Sequence, residues 1–311
     1  MLKVNASARI GNTFDISFAD GSLFQILATD TYSSKIVALL ATAMQLHSVR
    51  EESEIGLSQT FKIIVSSFGS SMAELKGLPC KLISEDKSGT SCALPVSEDR
   101  QIVALQLISL SEIISGHARK KGGALMHGAL AEYSNQAIMM AGKGGVGKTT
   151  ASMRLQPPWR SLSDDATLVV LDDEGKYWAH PWPTWSSFFM PGGSGGIWDT
   201  QRGRPLEGIL FLSQDEKDGI EPVGKGESAI LLQQSSDNFI QPVNQVLNKE
   251  KMRALYLQAF DNICRLVRHV PCYKLQVSLN GAFWEKIEQT IFVHQGMKDG
   301  KGNSFANFSL E

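Results

Sequence analysis

The sequence predicts an α/β fold made of two units. Short runs with alternating apolar residues, which are typical of strands, dominate residues 1–105. From residue 106 to 295, apolar strands alternate with segments of helical spacing, and a glycine-rich loop joins one such strand to a helix. We therefore expect a smaller N-terminal α+β domain over residues 1–105, a larger α/β domain over residues 106–295 and a flexible tail over residues 296–311.

The first unit is predicted to contain hairpins and one helix. Residues 14–18 alternate before a turn at Asp20, Gly21 and Ser22, and residues 80–83 and 91–94 flank a second turn. Apolar residues recur at helical spacing over residues 36–44, with Ser33 and Ser34 as candidate caps. No catalytic constellation is visible in this part of the sequence.

The second unit is predicted to begin with a helix over residues 106–121 that stops at Gly122 and Gly123. The strands that we expect next cover residues 124–130, 137–141, 166–171, 176–179, 208–212 and 273–277. The helices that we expect cover residues 149–155, 227–240 and 251–270. Residues 172–175 carry a strong turn signal, so Asp172, Asp173 and Glu174 are expected in a solvated hairpin turn.

Composition excludes several classes of function. A formal net charge of -2 with 20% charged residues does not suit a protein that binds nucleic acid. The longest apolar runs, such as residues 36–40 and 168–171, are far shorter than the roughly 20 residues that cross a bilayer. The four cysteines form no C-x-x-C pair, and residues 1–5 lack the apolar stretch of a secretory signal. We expect a cytoplasmic protein that binds neither nucleic acid nor membrane.

The glycine-rich loop matches the pattern G-x-x-x-x-G-K-[ST], follows an apolar strand and opens a helix. Glycines let backbone N–H groups surround an anion, a lysine neutralises the β- and γ-phosphates, and a threonine hydroxyl can bind Mg²⁺. The pattern therefore predicts a site for ATP and Mg²⁺, with Thr149 as a metal ligand. The residues that we expect to bind ATP are Gly142, Lys143, Gly144, Gly145, Val146, Gly147, Lys148, Thr149 and Thr150.

A pair of adjacent aspartates follows this loop, sixteen and seventeen residues after Lys148. Asp164 and Asp165 are well placed to divide two tasks of phosphoryl transfer, with one binding Mg²⁺ and the other accepting a hydroxyl proton. Adjacent residues on a strand point to opposite faces, so the order of the two roles stays open. His127 precedes the loop in sequence. Two interpretations are open for its side chain: it contacts the phosphate, or it is buried in the core.

Lys143 gives the loop the form Lys-Gly-Gly-x-Gly-Lys-Thr, which resembles the deviant loop of the partition, arsenite-pump and nitrogenase-iron-protein ATPases. In those proteins the earlier lysine reaches the nucleotide of a dimer partner. Their loop lies near the N-terminus and is followed by a full helix, whereas here it begins at residue 142 and is followed by a short one. A dimeric ATPase of this kind is the alternative enzyme.

A second resemblance covers residues 106–288. His127-Gly128 before the loop and Asp164-Asp165 after it resemble the HPr kinase/phosphorylase group, whose core is shared with phosphoenolpyruvate carboxykinase. Residues 181–186, 205–212 and 281–284 resemble the SynChlorMet cassette protein C family of small HPr-kinase-like proteins. The resemblance implies a P-loop core with a mixed sheet in the larger unit. The chain lacks the Glu-Ile-Arg-Gly-Leu-Gly signature of true HPr kinases, so HPr itself is not expected as its substrate.

The resemblance also implies an activity and roles for single residues. The expected reaction transfers the γ-phosphate of ATP to a serine hydroxyl of a precursor peptide or small acceptor. Lys148 would neutralise phosphate, Asp165 would be the base, Asp164 would bind Mg²⁺, and His127 would contact the phosphate or orient the base. Other cassette maturation proteins are expected partners, and a homo-oligomer is left open. The remaining alternative is a non-catalytic module that binds nucleotide in a maturation complex.

An aromatic, glycine-rich segment over residues 178–198 has two interpretations: a mobile flap over the site or a hydrophobic cluster under a long loop. Arg202 and Arg204 follow it. They are candidates either for steadying charge in the transition state or for ordinary surface positions.

Overall fold

The computed structural model describes residues 13–48, 60–69, 78–185, 196–240 and 249–292. The predicted tail, residues 296–311, lies outside these ranges. Two mixed sheets and six helices make up the described part of the chain, so the predicted α/β class is confirmed.

The first sheet has six strands in the order β3-β1-β2-β4-β6-β5. Its members are β1 (Thr13–Ser17), β2 (Leu23–Ala28), β3 (His47–Ser48), β4 (Thr60–Phe68), β5 (Lys81–Glu85) and β6 (Gly89–Pro95). β4 runs parallel to both β2 and β6, while the remaining pairs are antiparallel. Both predicted hairpins, β1–β2 and β5–β6, are confirmed.

Helix α1 (Thr31–Ala43) connects β2 to β3, and its predicted cap was wrong. Asp30 is the N-cap: its carboxylate accepts from the backbone N–H of Ser33, and the Ser33 hydroxyl oxygen accepts from the backbone N–H of Asp30. Ser33 and Ser34 lie inside the first turn and are buried. Asp30 also accepts from Ser67 of β4, which explains why an aspartate is favoured here over a serine.

Helix α2 (Arg100–Lys120) begins six residues before the predicted start. Its N-cap is Asp99, whose carboxylate accepts from the backbone N–H of Gln101. The buried Gln106 fixes the early part of this helix, because its amide donates to the carbonyl of Pro95 at 2.7 Å. The predicted division between residues 105 and 106 falls within α2 and stays a prediction.

The second sheet has eight strands. They are β7 (Ala124–Tyr133), β8 (Gln136–Ala141), β9 (Arg160–Ser163), β10 (Ala166–Leu171), β11 (Tyr177–Pro181), β12 (Arg204–Gln214), β13 (Gly219–Pro222) and β14 (Cys272–Val277). The main order is β11-β10-β7-β8-β12-β14-β13, with β9 paired to β7. β12 is parallel to β8 and β14, and the other pairs are antiparallel, so this sheet is mixed as expected.

Helices cover both faces of this sheet. They are α3 (Lys148–Arg154), α4 (Lys225–Ile240), α5 (Lys249–His269) and α6 (Phe283–Ile287), and a π-helical turn over Glu288–Phe292 follows. Side chains of α4 and α5 pack in one apolar cluster with β7, β8 and β12. Side chains of α3 and α6 pack in another cluster against the opposite face. Strands β9 and β13 and helix α6 were not predicted.

A third apolar cluster joins the two sheets. It combines strands and helices of the first unit with Leu168 and Val170 of β10. Trp182, Trp185 and Trp198 are buried in this cluster, so the cluster interpretation holds for these three residues. Residues 186–195 of the aromatic segment lie outside the described ranges. Within the described part of the chain, no helix is long and apolar enough to cross a membrane.

Candidate nucleotide site

The glycine loop connects β8 to the N-terminus of α3. Gly145 and Gly147 have φ values of +79° and +100°, a left-handed conformation that favours glycine. A Cβ added at Gly144 or Gly145 would meet no atom within 4 Å, so the backbone there is open to an approaching group. These φ values and this open space agree with the expectation of a loop whose backbone amides approach an anion.

Lys148 is the first residue of α3, and its side chain turns back into the loop. Its Nζ donates to the carbonyls of Gly142 and Lys143 at 2.9 and 3.2 Å. The residue is only 5% exposed. Burial lowers the pKa of the Lys148 ammonium, while the negative charge of Asp165 opposes that shift.

The break between β9 and β10 places Asp165 beside His127. β7 pairs with β10 before Gly128 and with β9 after it, so the residues between those two strands lie next to the middle of β7. The backbone N–H of Gly128 donates to the carbonyl of Asp165 at 2.9 Å, and His127 Nδ1 lies 3.2 Å from Asp165 Oδ1. A Cβ at Gly128 would lie 2.9 Å from the side chain of Met139, so a larger residue here would displace Met139.

Burial governs the protonation of this pair. It raises the pKa of Asp165, whereas the charges of His127 and Lys148 lower it. Burial also lowers the pKa of His127, against the attraction of Asp165. A carboxylate whose pKa lies above its ordinary value, and which is only partly exposed, is a better proton acceptor than a solvated aspartate.

Asp164 Oδ1 accepts a hydrogen bond from the Thr184 hydroxyl at 3.3 Å, and the charge of Asp164 raises the pKa of both His127 and Asp165. Thr149 and Thr150 are exposed in the first turn of α3. Among the described residues, no group of three or more His, Cys, Asp or Glu side chains is arranged to hold a metal by itself. Mg²⁺ commonly takes only one or two carboxylates and completes its shell with water and phosphate, so a threonine hydroxyl and an aspartate suit it chemically.

A cleft of 720 Å³ opens on one side of the loop. Its lining consists of Gly142, Lys143, Gly144, Gly145, Val146, Phe211, Leu212, Ser213, Gln214, Leu231, Gln234 and Ser235. The sequence did not single out Gln214, whose side-chain amide donates to the carbonyl of Val146 at 3.3 Å. The available signal was its place at the carboxyl end of a strand, where ligands of α/β proteins bind. His127, Asp164 and Asp165 do not line this cleft.

The two arginine candidates have a different role. Arg202 Nη2 and Arg204 Nε each lie 2.9 Å from a carboxylate oxygen of the buried Glu132, near the far end of β7 from His127. They neutralise that carboxylate and are therefore neither phosphate ligands nor solvated surface residues. The turn prediction for residues 172–175 is confirmed, because Asp172 accepts from the backbone N–H groups of Glu174 and Lys176.

Comparison with known proteins assigns the chain to one family. No curated protein matches the chain. Among solved structures, the chain is similar to the Hpr(Ser) kinase/phosphatase from Coxiella burnetii, with 10% sequence identity, a TM-score of 0.31 and coverage of 57% of this chain and 93% of that one. The family model described as SynChlorMet cassette protein ScmC matches residues 90–293, which is more than half of the chain. The chain therefore belongs to the SynChlorMet cassette protein ScmC family.

Proposed function

We propose that the protein is an ATP-dependent kinase that transfers the γ-phosphate to a serine hydroxyl of a precursor peptide or small acceptor. The observation that carries this proposal is the position of Asp165. Its carboxylate lies 3.2 Å from the His127 ring and interacts electrostatically with Lys148, the lysine of the glycine loop. A partly buried base beside a phosphate-binding lysine is the arrangement that phosphoryl transfer to a hydroxyl requires.

The loop would bind the triphosphate through its amides and through Lys148. The lysine ammonium donates to two loop carbonyls, at Gly142 and Lys143, and can exchange these bonds for phosphate oxygens of greater negative charge. Because Lys148 is almost fully buried, its charge is weakly screened by water. We assign it the neutralisation of the β- and γ-phosphates.

The transfer step follows from the position of the carboxylate. The serine hydroxyl gives its proton to Asp165 as its oxygen attacks the γ-phosphorus. The bond between that phosphorus and the β–γ bridging oxygen breaks, and ADP leaves with the bonding electron pair. His127 orients the Asp165 carboxylate through the 3.2 Å contact. Bound Mg²⁺ would supply charge neutralisation at the phosphates, with Thr149 and Asp164 as its protein ligands.

Two alternatives remain as outcomes of the test. Lys143 is exposed on the loop, as a lysine that reaches a partner's nucleotide would be. A dimeric ATPase would hydrolyse ATP without an acceptor, dimerise with ATP and depend on Lys143. A non-catalytic module would bind ATP and transfer phosphate to no cassette peptide.

The test is mass spectrometry of a cassette precursor peptide co-expressed with the protein. The wild type is expected to add one phosphate per modified serine. Asp165→Asn is expected to reduce that gain by about 100-fold or more, which is the usual contribution of a general base. Asp173→Asn is the matched control, because Asp173 is exposed in the turn after β10. Equal phosphate gain with wild type and Asp165→Asn would refute the assigned role.

A further inference from the structure

His127 and helix α4, which forms one wall of the cleft, lie on opposite faces of the second sheet. Successive side chains of β7 point to opposite faces. Met126 packs in the cluster that contains Leu232 of α4, whereas Ala129 packs in the cluster that contains Ala151 of α3. His127 has the same parity as Ala129, so its ring lies on the α3 face. The cleft, by contrast, is walled by α4.

This arrangement separates the two ends of a bound triphosphate. In-line transfer places the attacking hydroxyl and the leaving group on opposite sides of the γ-phosphorus. If the attacking hydroxyl lies at Asp165, on the α3 side of the loop, the leaving ADP extends to the other side. That other side is the cleft between the loop and α4.

The lining of the cleft suits a nucleoside. Phe211, Leu212 and Leu231 supply apolar surface, and Gln214 and Gln234 supply amide groups. A nucleobase is a flat apolar ring with hydrogen-bonding groups on its edge, so it matches such a surface. The volume of 720 Å³ lies within the usual range for small-molecule sites.

Helix α4 is also hydrogen-bonded to β7, the strand that carries His127. The Ser235 hydroxyl donates to the backbone carbonyl of His127 at 2.7 Å. One wall of the cleft is thereby held at a fixed position relative to the base. We infer that the cleft between the glycine loop and α4 binds the nucleoside of ATP, while the acceptor approaches Asp165 from the α3 side. This inference rests on the proposed function.

The test compares the affinity for ATP with the affinity for inorganic tripolyphosphate, both measured with Mg²⁺ by calorimetry on the full chain. Leu231→Trp fills the cleft with a larger ring. It is expected to weaken ATP binding by tenfold or more and to change tripolyphosphate binding by less than twofold. Ile230→Trp is the control on the same helix, because Ile230 is 58% exposed and does not line the cleft.

Gln234→Ala serves as a second variant, because Gln234 is exposed and its loss does not endanger folding. It is expected to weaken ATP binding by about threefold to tenfold, the effect of one hydrogen bond, without changing tripolyphosphate binding. If both cleft variants bind ATP as the wild type does, or lose both ligands equally, the inference is overturned. If the wild type binds neither ligand, the proposed function itself fails, which is a distinct result.

Discussion

Two basic side chains, His127 and Lys148, oppose the effect of burial on the pKa of Asp165. Burial raises its pKa, and the charges of His127 and Lys148 bring it down again. The carboxyl must be deprotonated to accept a proton, so activity is expected to fall as pH falls through the Asp165 pKa. In the proposed mechanism His127 therefore has two effects on the base: it orients the carboxylate and favours its charged form.

The first prediction concerns His127→Ala. Loss of the imidazole removes one contribution that lowers the Asp165 pKa, so the acidic limb of the kcat/KM profile should move to higher pH. The measurement is kcat/KM against pH, with His47→Ala as control because His47 is exposed on β3. An acidic limb at the same pH in both variants would show that His127 does not act on Asp165.

At the scale of elements, α3 is too short to hold the loop by its own helical hydrogen bonds. It has seven residues, about two turns, and isolated helices of this length are unstable in water. Arg154 at its end provides an anchor: its guanidinium donates to the carbonyls of Ser278 and Gly281 at 2.8 and 2.7 Å and lies over the Phe283 ring. These contacts attach α3 to the segment between β14 and α6.

Arg154→Ala is therefore expected to lower the free energy of unfolding by about 2 kcal/mol, since two charge-assisted hydrogen bonds are lost. Urea denaturation followed by circular dichroism measures this change. Met153→Ala, at a position that is 76% exposed on the same helix, is expected to change it by less than about 0.5 kcal/mol. Similar losses in the two variants would refute the anchoring role.

At the scale of the whole molecule, the two sheets share an apolar core and a buried histidine. His180 of β11 accepts from the backbone N–H of Ala19 at 3.3 Å, and its Nδ1 donates to the carbonyl of Thr200 at 2.8 Å. Burial lowers the pKa of His180 from 6.5 to about 4. The neutral ring thereby links the first sheet to the second.

Folding lowers the pKa of this histidine. The resulting contribution to stability is fully present at pH values above the pKa of the unfolded state, and it is lost as pH falls towards the pKa of the folded state. From pH 6.5 to 4 the unfolded state binds a proton that the folded state does not, which costs about 3 kcal/mol of folding free energy. We expect His180→Gln to show a smaller loss over this range, measured by urea denaturation at each pH. His47→Gln should keep the wild-type loss, and identical losses in all three proteins would contradict the assignment.

The sequence predicted those elements whose signal is local. The alternation in β1, the apolar run of β10, the turn at residues 172–175 and the glycine loop each depend on neighbouring residues, and each was found where expected. β9 escaped prediction because Arg160 and Ser161 are exposed, so the strand shows no alternation and exists only through its pairing with β7. Gln214 and the Glu132 pairs were missed because their partners are distant in sequence.

The most direct test of the account is a crystal structure with Mg²⁺ and a non-hydrolysable ATP analogue. We expect the triphosphate on the amides of residues 144–147, Lys148 released from the loop carbonyls and bound to phosphate, and the Asp165 carboxylate within about 6 Å of the γ-phosphorus, which leaves room for a hydroxyl between them. A γ-phosphate on the α4 side of the loop, remote from Asp165, would contradict the proposed mechanism.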